Sequence, residues 1–260
     1  EREESTIEAY LRSLTRFAEW ADGRAVTKEL VMEWKTALSE AGYRPISVNA
    51  MLAAVNKFFT CMGREDCKVK YLKLQRQMFR KSEKDLSKEE YQRLVQAAHE
   101  KGDLRMELIL ETICATGIRV SELRFITAEA LRAGRTEIRL KGKCRTVLLP
   151  QELAERLRRY ARAQDIQEGP LFRTRTGRPL DRSNIWHEMK TLCREAGVMP
   201  EKVFPHNLRH LFAKCFYEQE KDLAHLADLL GHSSIETTRI YVAVSARAHE
   251  QILEKMRLIV

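Results

Sequence analysis

The chain has 260 residues, which is longer than one average domain, so we expect two domains. A net charge of +9 makes a polyanion such as nucleic acid a suitable partner, although a basic balance alone also fits an ordinary basic protein. No apolar run approaches the roughly 18 residues that span a bilayer. We see no signal-peptide pattern either, so we expect a cytoplasmic protein without a membrane partner.

The six cysteines show no close pairing such as C-x-x-C, and several lie inside apolar runs, as Cys114 does in Ile113-Cys114-Ala115. This usage is typical of small buried side chains in a reducing compartment. It favours neither a disulfide framework nor a zinc site.

The first sixty residues have helical periodicity. Ser5-Thr6-Ile7-Glu8 is a capping-box sequence. The apolar residues after it recur at helical spacing: Ile7, Tyr10, Leu11, Leu14 and Phe17. A second helix is predicted over about 27–39, and a third begins at Ser47. These helices predict a small all-helical domain with its own core.

The stretch from Lys68 to Lys81 carries charge of one sign. Its cations are Lys68, Lys70, Lys73, Arg76, Arg80 and Lys81, with no acidic residue among them. A solvated basic face is the ordinary explanation for such a run. Between two domains it also suits a linker that lies along a phosphate backbone. The candidate phosphate contacts in it are Lys70, Lys73, Arg76, Arg80 and Lys81.

A second capping box, Ser87-Lys88-Glu89-Glu90, begins the next helix, so we place the domain boundary near residue 83. The predicted domains are therefore 1–82, including the basic stretch, and 83–260. Helices are predicted over about 87–100, 103–116, 120–126, 151–164, 182–196, 206–218, 222–230 and 235–242, with an amphipathic helix over 247–258.

The period changes within the second domain. Residues 136–140 and 145–149 flank Lys141-Gly142-Lys143-Cys144 and predict two short strands joined by a turn. The expected fold class is mainly α: a small all-helical N-terminal domain, then a mostly helical domain with a short β-hairpin.

Six side chains of the second domain are candidates for chemistry: Arg119, Lys141, His206, Arg209, His232 and Tyr241. Two arginines offer planar, bidentate donors for two nonbridging phosphate oxygens. A phenol that attacks a phosphodiester keeps the bond energy in a covalent ester. Each of these residues also has an ordinary structural explanation when it is considered alone. Arg119 could form a salt bridge with Glu122, Lys141 could be a solvated turn residue, and Tyr241 could be a core tyrosine.

His206 and His210 lie four residues apart on one predicted helix, so a metal pair has to be weighed. In the metalloprotease motif a glutamate follows the first histidine, and here the residue is Asn207. No carboxylate or cysteine lies at an obvious spacing for a third ligand. We expect no metal and no cofactor, with His210 buried and His206 facing a cleft.

Three blocks resemble the signature blocks of the tyrosine recombinases, the phage-integrase family. They are Ala115–Leu123 (ATGIRVSEL), Pro205–His210 (PHNLRH) and Leu230–Tyr241 (LGHSSIETTRIY). The resemblance covers nearly the whole chain and is of the Xer-like, two-domain type. Ser5–Phe59 resembles the family's helical core-binding domain, and residues from about 83 onward resemble its catalytic domain.

The resemblance implies a role for each candidate. Tyr241 would attack the scissile phosphate, giving a 3′-phosphotyrosyl link and a free 5′-hydroxyl. Arg119 and Arg209 would stabilise the transition state. His206 would assist proton transfer at the nucleophile, and His232 would donate a hydrogen bond to a phosphate oxygen.

The leaving 5′-oxygen would take its proton from Lys141. Lys143 is a rival for that role and a further candidate DNA contact, since this turn looks one residue shorter than in Xer-type members. Leu211, where a small hydroxyl residue often follows, and Leu148, where proline is frequent, are smaller departures. Neither removes a catalytic group.

The implied partner is double-stranded DNA with a specific recombination site. Members of this kind act as a homo-tetramer on two duplexes through a Holliday junction. We expect a monomer in the absence of DNA. We also expect the protein to associate with the nucleoid. Arg247–Leu258 would dock on a neighbouring protomer or pack on its own domain. The alternatives are a catalytically silent DNA-binding relative and a type IB topoisomerase that relaxes DNA.

Overall fold

The computed structural model describes residues 4–74, 85–140, 143–232 and 234–242, and the chain divides into two compact units, 1–77 and 78–260. Within these ranges it is mainly helical with one two-stranded antiparallel sheet. The predicted fold class is confirmed. None of the described helices combines the length and apolarity of a membrane span.

The first unit is a three-helix domain. Its elements are α1 (Glu4–Ala21), α2 (Lys28–Glu40), α3 (Pro45–Cys61) and a 3-10 helix (Glu65–Cys67). Trp34 of α2 is 1% exposed and meets the Phe17 ring edge-on, with ring centroids 5.0 Å apart. Thr27 caps α2 by accepting a hydrogen bond from the Leu30 backbone N–H.

The start of α1 differs from the prediction. The helix already includes Glu4, so Ser5 lies inside it and is not its N-cap. Ile7 and Leu11 are 49% and 57% exposed. The apolar residues of α1 pack into the core only from Leu14 onward. Helical spacing alone does not show which turn of a helix first contacts the core.

Two asparagines of α3 hold the segment that follows the domain. Asn56 exchanges two hydrogen bonds with the Val69 backbone, at 2.9 and 3.1 Å. Asn49 does the same with Leu72, at 2.9 and 2.7 Å. An amide side chain can pair with a backbone unit in this way because it carries both a donor and an acceptor. The segment 69–72 is therefore fixed along α3.

The second unit contains the remaining elements. They are α4 (Lys88–Glu100), α5 (Leu104–Thr116), a 3-10 helix (Val120–Phe125), α6 (Ala128–Ala133), β1 (Arg135–Leu140), β2 (Lys143–Leu148), α7 (Gln151–Ala163), α8 (Arg182–Thr191), a 3-10 helix (Pro200–Lys202), α9 (Pro205–Glu220), α10 (Leu223–Leu230) and α11 (Ile235–Val242). The capping box at Ser87 and Glu90 is present as predicted.

Several elements in this unit differ from the predictions. The segment 120–125 is a 3-10 helix, α6 was not predicted, and α8 ends at Thr191 instead of continuing to 196. The strands pair from Arg135 opposite Leu148 to Leu140 opposite Lys143, so only residues 141–142 lie between them. Six-residue elements leave too little periodicity for a sequence pattern to separate from a loop.

The core of the second unit surrounds α5. Met106, Leu108, Ile109, Leu110 and Ile113 of this helix are all fully buried. These residues are distributed over several sides of the helix, and α5 packs against α4, α7 and α9. The carboxyl end of α5 is thereby fixed, and the residues that follow it begin the candidate site.

Candidate active site

Gly117 ends α5 in the left-handed conformation, with φ of +61°. A Cβ at this position would lie 2.4 Å from Cδ1 of Phe212, so glycine is required by both conformation and space. Ile118 follows and is fully buried, and the next residue, Arg119, has 41% of its side chain exposed.

Glu122 orients Arg119. Its carboxylate accepts the Arg119 backbone N–H at 2.8 Å and the Nη1 of the same arginine at 2.9 Å. Burial of Glu122 by itself raises the pKa of this carboxyl, but the Arg119 N–H and the Arg145 guanidinium outweigh it. The pKa of Glu122 therefore lies below its ordinary value, and the group is ionised at neutral pH.

Arg145 of β2 is a third arginine of the site that the sequence reasoning missed. Its Nη2 donates to Oε2 of Glu122 at 2.5 Å, and its Nη1 donates to the Leu229 carbonyl at 2.6 Å. A Cβ on Gly231 would lie 2.4 Å from Cδ of Arg145. Arg145 lies two residues before the buried Val147 and so on the same face of β2, and a charged residue at an inward strand position was the available signal.

Arg209 of α9 is 2% exposed. Its Nη1 donates to the carbonyl of Gly117, and its Nη2 donates to the carbonyl of Leu230 at 2.7 Å. Both carbonyls lie at carboxyl ends of helices, where the helix dipole is negative and stabilises a cation. Burial, then the charge of Arg119, lowers the pKa of Arg209 to about 10, so it stays protonated at neutral pH.

His232 follows directly after Gly231, which ends α10 in the left-handed conformation. Its Nε2 lies 2.9 Å from Nη2 of Arg209, and its Nδ1 lies 2.8 Å from Oγ1 of Thr238. Burial first, then the charges of Arg209 and Arg119, lowers the pKa of His232 to about 4.

Tyr241 of α11 lies among three imidazole rings of the same chain. It stacks on His232 with ring centroids 5.6 Å apart and planes 13° from parallel. The centroid distances to His206 and His210 are 5.7 and 5.2 Å. Tyr241 is 5% exposed and His210 4%, so the tyrosine belongs to a packed cluster and not to an open surface.

A cleft of about 440 Å³ opens beside these groups. Arg119, His206 and Arg209 line it, together with Arg182 and Trp186 of α8. Arg182 and Trp186 were not among the predicted site residues. They lie four residues apart on one helix and so share a face, which was the signal in the sequence.

The structure thus brings five of the six predicted catalytic residues together: Arg119, His206, Arg209, His232 and Tyr241. Lys141 lies outside the described residues, as do Arg76, Arg80, Lys81 and the helix predicted over 247–258. Lys143 begins β2, but its side chain is outside the described part of the chain. Lys70 and Lys73 are exposed on the segment that follows the helices of the first domain.

No three His, Cys, Asp or Glu side chains form a metal-binding group among the residues for which the structure gives positions. Each arginine contact described above is to a carboxylate, a carbonyl or an imidazole. Arg119, Arg182 and Arg209 place three guanidiniums around one cleft, which suits an anion with several oxygens.

Comparison with known proteins identifies the family. The phage integrase family model matches residues 84–247, and the phage integrase N-terminal SAM-like domain matches residues 1–66. Tyrosine recombinase XerD of Xanthomonas campestris is 34% identical over 275 residues, covering 95% of this chain and 84% of the relative. The chain belongs to the phage integrase family of tyrosine recombinases, as the sequence resemblance indicated.

Two solved structures show the same fold. The XerH site-specific recombinase, in a post-cleavage complex with a palindromic difH substrate, matches with a TM-score of 0.75 and 22% identity over 95% of this chain and 78% of that one. A lambda integrase tetramer bound to a Holliday junction matches with a TM-score of 0.70 and 16% identity over 93% and 72%.

Proposed function

We propose that this protein cuts and rejoins DNA strands at a specific site through a covalent 3′-phosphotyrosyl intermediate on Tyr241. One observation carries the proposal: the Tyr241 ring stacks on His232, whose Nε2 contacts the buried Arg209. A phenol, an imidazole and a guanidinium in one contact chain supply a nucleophile and a preorganised donor for phosphoryl transfer.

The two arginines divide the work by their environments. Arg209 is buried and held by backbone carbonyls. Its guanidinium therefore does not have to move when negative charge develops on the phosphate oxygens, and no reorganisation energy is needed. Arg119 is partly exposed at the cleft and is oriented from behind by Glu122. Removing one such donor typically lowers the rate by about 10²–10³.

The proposed step balances without a metal or cofactor. The Tyr241 oxygen forms a bond to phosphorus as the bond from phosphorus to the 5′-oxygen breaks. The phenolic proton goes to His206, and the leaving 5′-oxygen takes a proton from Lys141, with Lys143 as its rival. His232 donates a hydrogen bond to a nonbridging oxygen. Reversal of the step by another strand's 5′-hydroxyl rejoins the DNA.

The nucleophile belongs to the same chain as the pocket that it serves. Tyr241 contacts His206, His210 and His232 of its own protomer, which supports cleavage in cis. Because Tyr241 is only 5% exposed, DNA has to uncover it before attack. We infer that the free protein keeps its nucleophile sheltered.

The DNA partner is proposed to contact the first domain, residues 1–82, as well as the catalytic domain, residues 83–260. The exposed Lys70 and Lys73 support this, since Asn49 and Asn56 fix the backbone that carries them. By likeness to the recombinases described above, we propose a tetramer acting on two duplexes through a Holliday junction, at the nucleoid.

The experiment selects a duplex from a random-sequence pool with the Tyr241→Phe protein and then incubates the wild type with it. We expect a covalent adduct that survives denaturation, is absent with Tyr241→Phe, and persists with Tyr160→Phe as the matched control. Tyr160 is a buried tyrosine of α7 that packs on Phe172, outside the site. Tight binding without any adduct would instead support a catalytically silent DNA-binding protein.

The same preparation distinguishes the topoisomerase alternative. Recombination requires the selected site, whereas a type IB topoisomerase would relax supercoiled plasmids that lack it. Sustained relaxation of a plasmid without the site would therefore contradict site-specific recombination and support strand relaxation by a monomer.

A further inference from the structure

The hydrogen bonds of His232 determine which of its nitrogens carries the proton. Nε2 lies 2.9 Å from Nη2 of Arg209, and Nδ1 lies 2.8 Å from Oγ1 of Thr238. Thr238 is fully buried, so its hydroxyl is a fixed partner of Nδ1 in the resting protein.

A guanidinium has N–H donors and no acceptor, so its contact with Nε2 requires a lone pair on that nitrogen. A neutral imidazole then carries its proton on Nδ1 and donates it to the hydroxyl oxygen of Thr238. The pKa of His232, which burial and then the neighbouring arginine charges lower to about 4, keeps the ring neutral at neutral pH. The resting ring is therefore the Nδ1–H tautomer.

The role proposed for His232 needs the opposite tautomer. Donation to a nonbridging phosphate oxygen requires a proton on Nε2, because this nitrogen faces Arg209 while Nδ1 faces Thr238. A threonine hydroxyl both accepts and donates hydrogen bonds. Thr238 can thus accept from Nδ1 in one state and donate to it in the other without moving its side chain.

Arg209 couples the two states to ligand binding. Its Nη2 is shared between the Leu230 carbonyl and Nε2 of His232. A phosphate oxygen that takes a hydrogen bond from this nitrogen removes the donor that holds a lone pair on Nε2. The preference for the Nδ1–H tautomer then disappears.

We propose that Thr238 is a positioning residue that holds His232 as the Nδ1–H tautomer until a phosphate engages Arg209, and then supports the Nε2–H tautomer. In the exchange the ring releases its Nδ1 proton to water and takes a proton from water at Nε2, so its charge is unchanged. The hydroxyl of Thr238 rotates to donate to Nδ1. The second half of this proposal rests on the proposed function, since it takes phosphate as the ligand.

The tautomer is measured directly by long-range correlation of ring protons and nitrogens in protein labelled with ¹⁵N-histidine at neutral pH. The chain has seven histidines, and comparison with the His232→Gln protein assigns the signal. We expect the Nδ1–H pattern in wild type and its conversion to the Nε2–H pattern on adding tungstate, an unreactive tetrahedral oxyanion used in place of phosphate.

Two variants separate a tautomer effect from a merely structural one. Thr238→Ser keeps the hydroxyl and should give the wild-type spectra. The nearly isosteric Thr238→Val leaves Nδ1 without an acceptor, so the Nδ1–H preference should weaken, because Arg209 alone then maintains it. In the adduct assay at saturating DNA we expect Thr238→Val to react about tenfold more slowly, the upper range for one neutral hydrogen bond. Thr238→Ser should restore the rate.

A proton on Nε2 in wild type without oxyanion would overturn the proposal, as would identical spectra for wild type and Thr238→Val. The wild-type and Thr238→Ser spectra decide the question even if the valine variant does not fold. Because the resting tautomer is read without DNA, its failure leaves the Tyr241 chemistry intact. Conversely, the predicted tautomer in a protein that forms no adduct would contradict the proposed function alone.

Discussion

Arg145 and Glu122 form a buried ion pair, with Nη2 2.5 Å from Oε2 and side chains that are 11% and 3% exposed. The pair connects the hairpin, whose strands flank residues 141–142, to the segment that presents Arg119. The second donor of Arg145 reaches the Leu229 carbonyl, close to His232. A residue that touches none of the proposed reacting atoms thus fixes three parts of the site.

Arg145→Met should destabilise the second unit and slow cleavage. Breaking a buried pair leaves an uncompensated charge, but Glu122 keeps its bonds to Arg119, so we expect a loss of about 2 kcal/mol, below the usual cost. Urea unfolding followed by a probe in the second unit measures it. In a double-mutant cycle with Glu122→Gln, the double variant should lose clearly less than the sum of the singles. Additive losses would show that the two side chains do not act together.

Gly117→Ala should be more harmful than a glycine substitution at another left-handed position. The new Cβ would lie 2.4 Å from Cδ1 of Phe212, in addition to the cost of about 1–2 kcal/mol for alanine at positive φ. Gly102→Ala is the matched control, because Gly102 has φ of +70° and an added methyl there would have no neighbour within 4 Å. Thermal unfolding should rank Gly117→Ala well below Gly102→Ala, and equal losses would exclude a packing role for Phe212.

Acid should weaken the fold partly through His232. Its pKa is about 4 in the folded chain and 6.5 in the reference state, so the unfolded chain binds more protons between these values. The contribution of His232 to stability is therefore complete above about pH 6.5 and is lost as the pH falls towards 4. Melting temperatures across this range should decline less steeply for His232→Gln than for wild type. Parallel curves would mean that the ring is not held neutral by its surroundings.

Lys70 and Lys73 should contribute to DNA binding but not to the chemical step. Each phosphate contact that is lost should reduce the slope of log K against log salt by about 0.9. We expect Lys70→Ala/Lys73→Ala to bind the selected duplex more weakly, with this change in slope, and to form adduct at the wild-type rate when DNA is saturating. Lys28→Ala, an exposed lysine at the start of α2, is the control. An unchanged slope would remove these lysines from the interface.

The sequence predicted the elements whose signals are local. The capping box at Ser87 and the change of period at the hairpin both depend on neighbouring residues. The 3-10 helix at 120–125 was predicted as an ordinary helix, because its geometry follows from the Glu122 bonds to Arg119, which no periodicity encodes.

The residues missed in the site have a common cause. Arg145, Thr238 and Trp186 act through partners that are distant in sequence or that become neighbours only after folding. Arg145 reaches Glu122 across 23 positions and Leu229 across 84. Such long-range contacts are determined by the packing of the folded chain. A sequence motif therefore identifies the residues that resemble a family's catalytic residues, but not the side chains that position those residues.

Esterification of the Tyr241 oxygen to a DNA strand is tested most directly by peptide mass spectrometry. Trypsin cuts after Arg239 and Arg247, so the peptide 240–247 contains Tyr241 as its only tyrosine. After reaction with the selected duplex and nuclease digestion, we predict a nucleotide on this peptide in wild type and none in Tyr241→Phe. A nucleotide attached to any other peptide, or an undiminished adduct in Tyr241→Phe, would contradict attack by the Tyr241 oxygen.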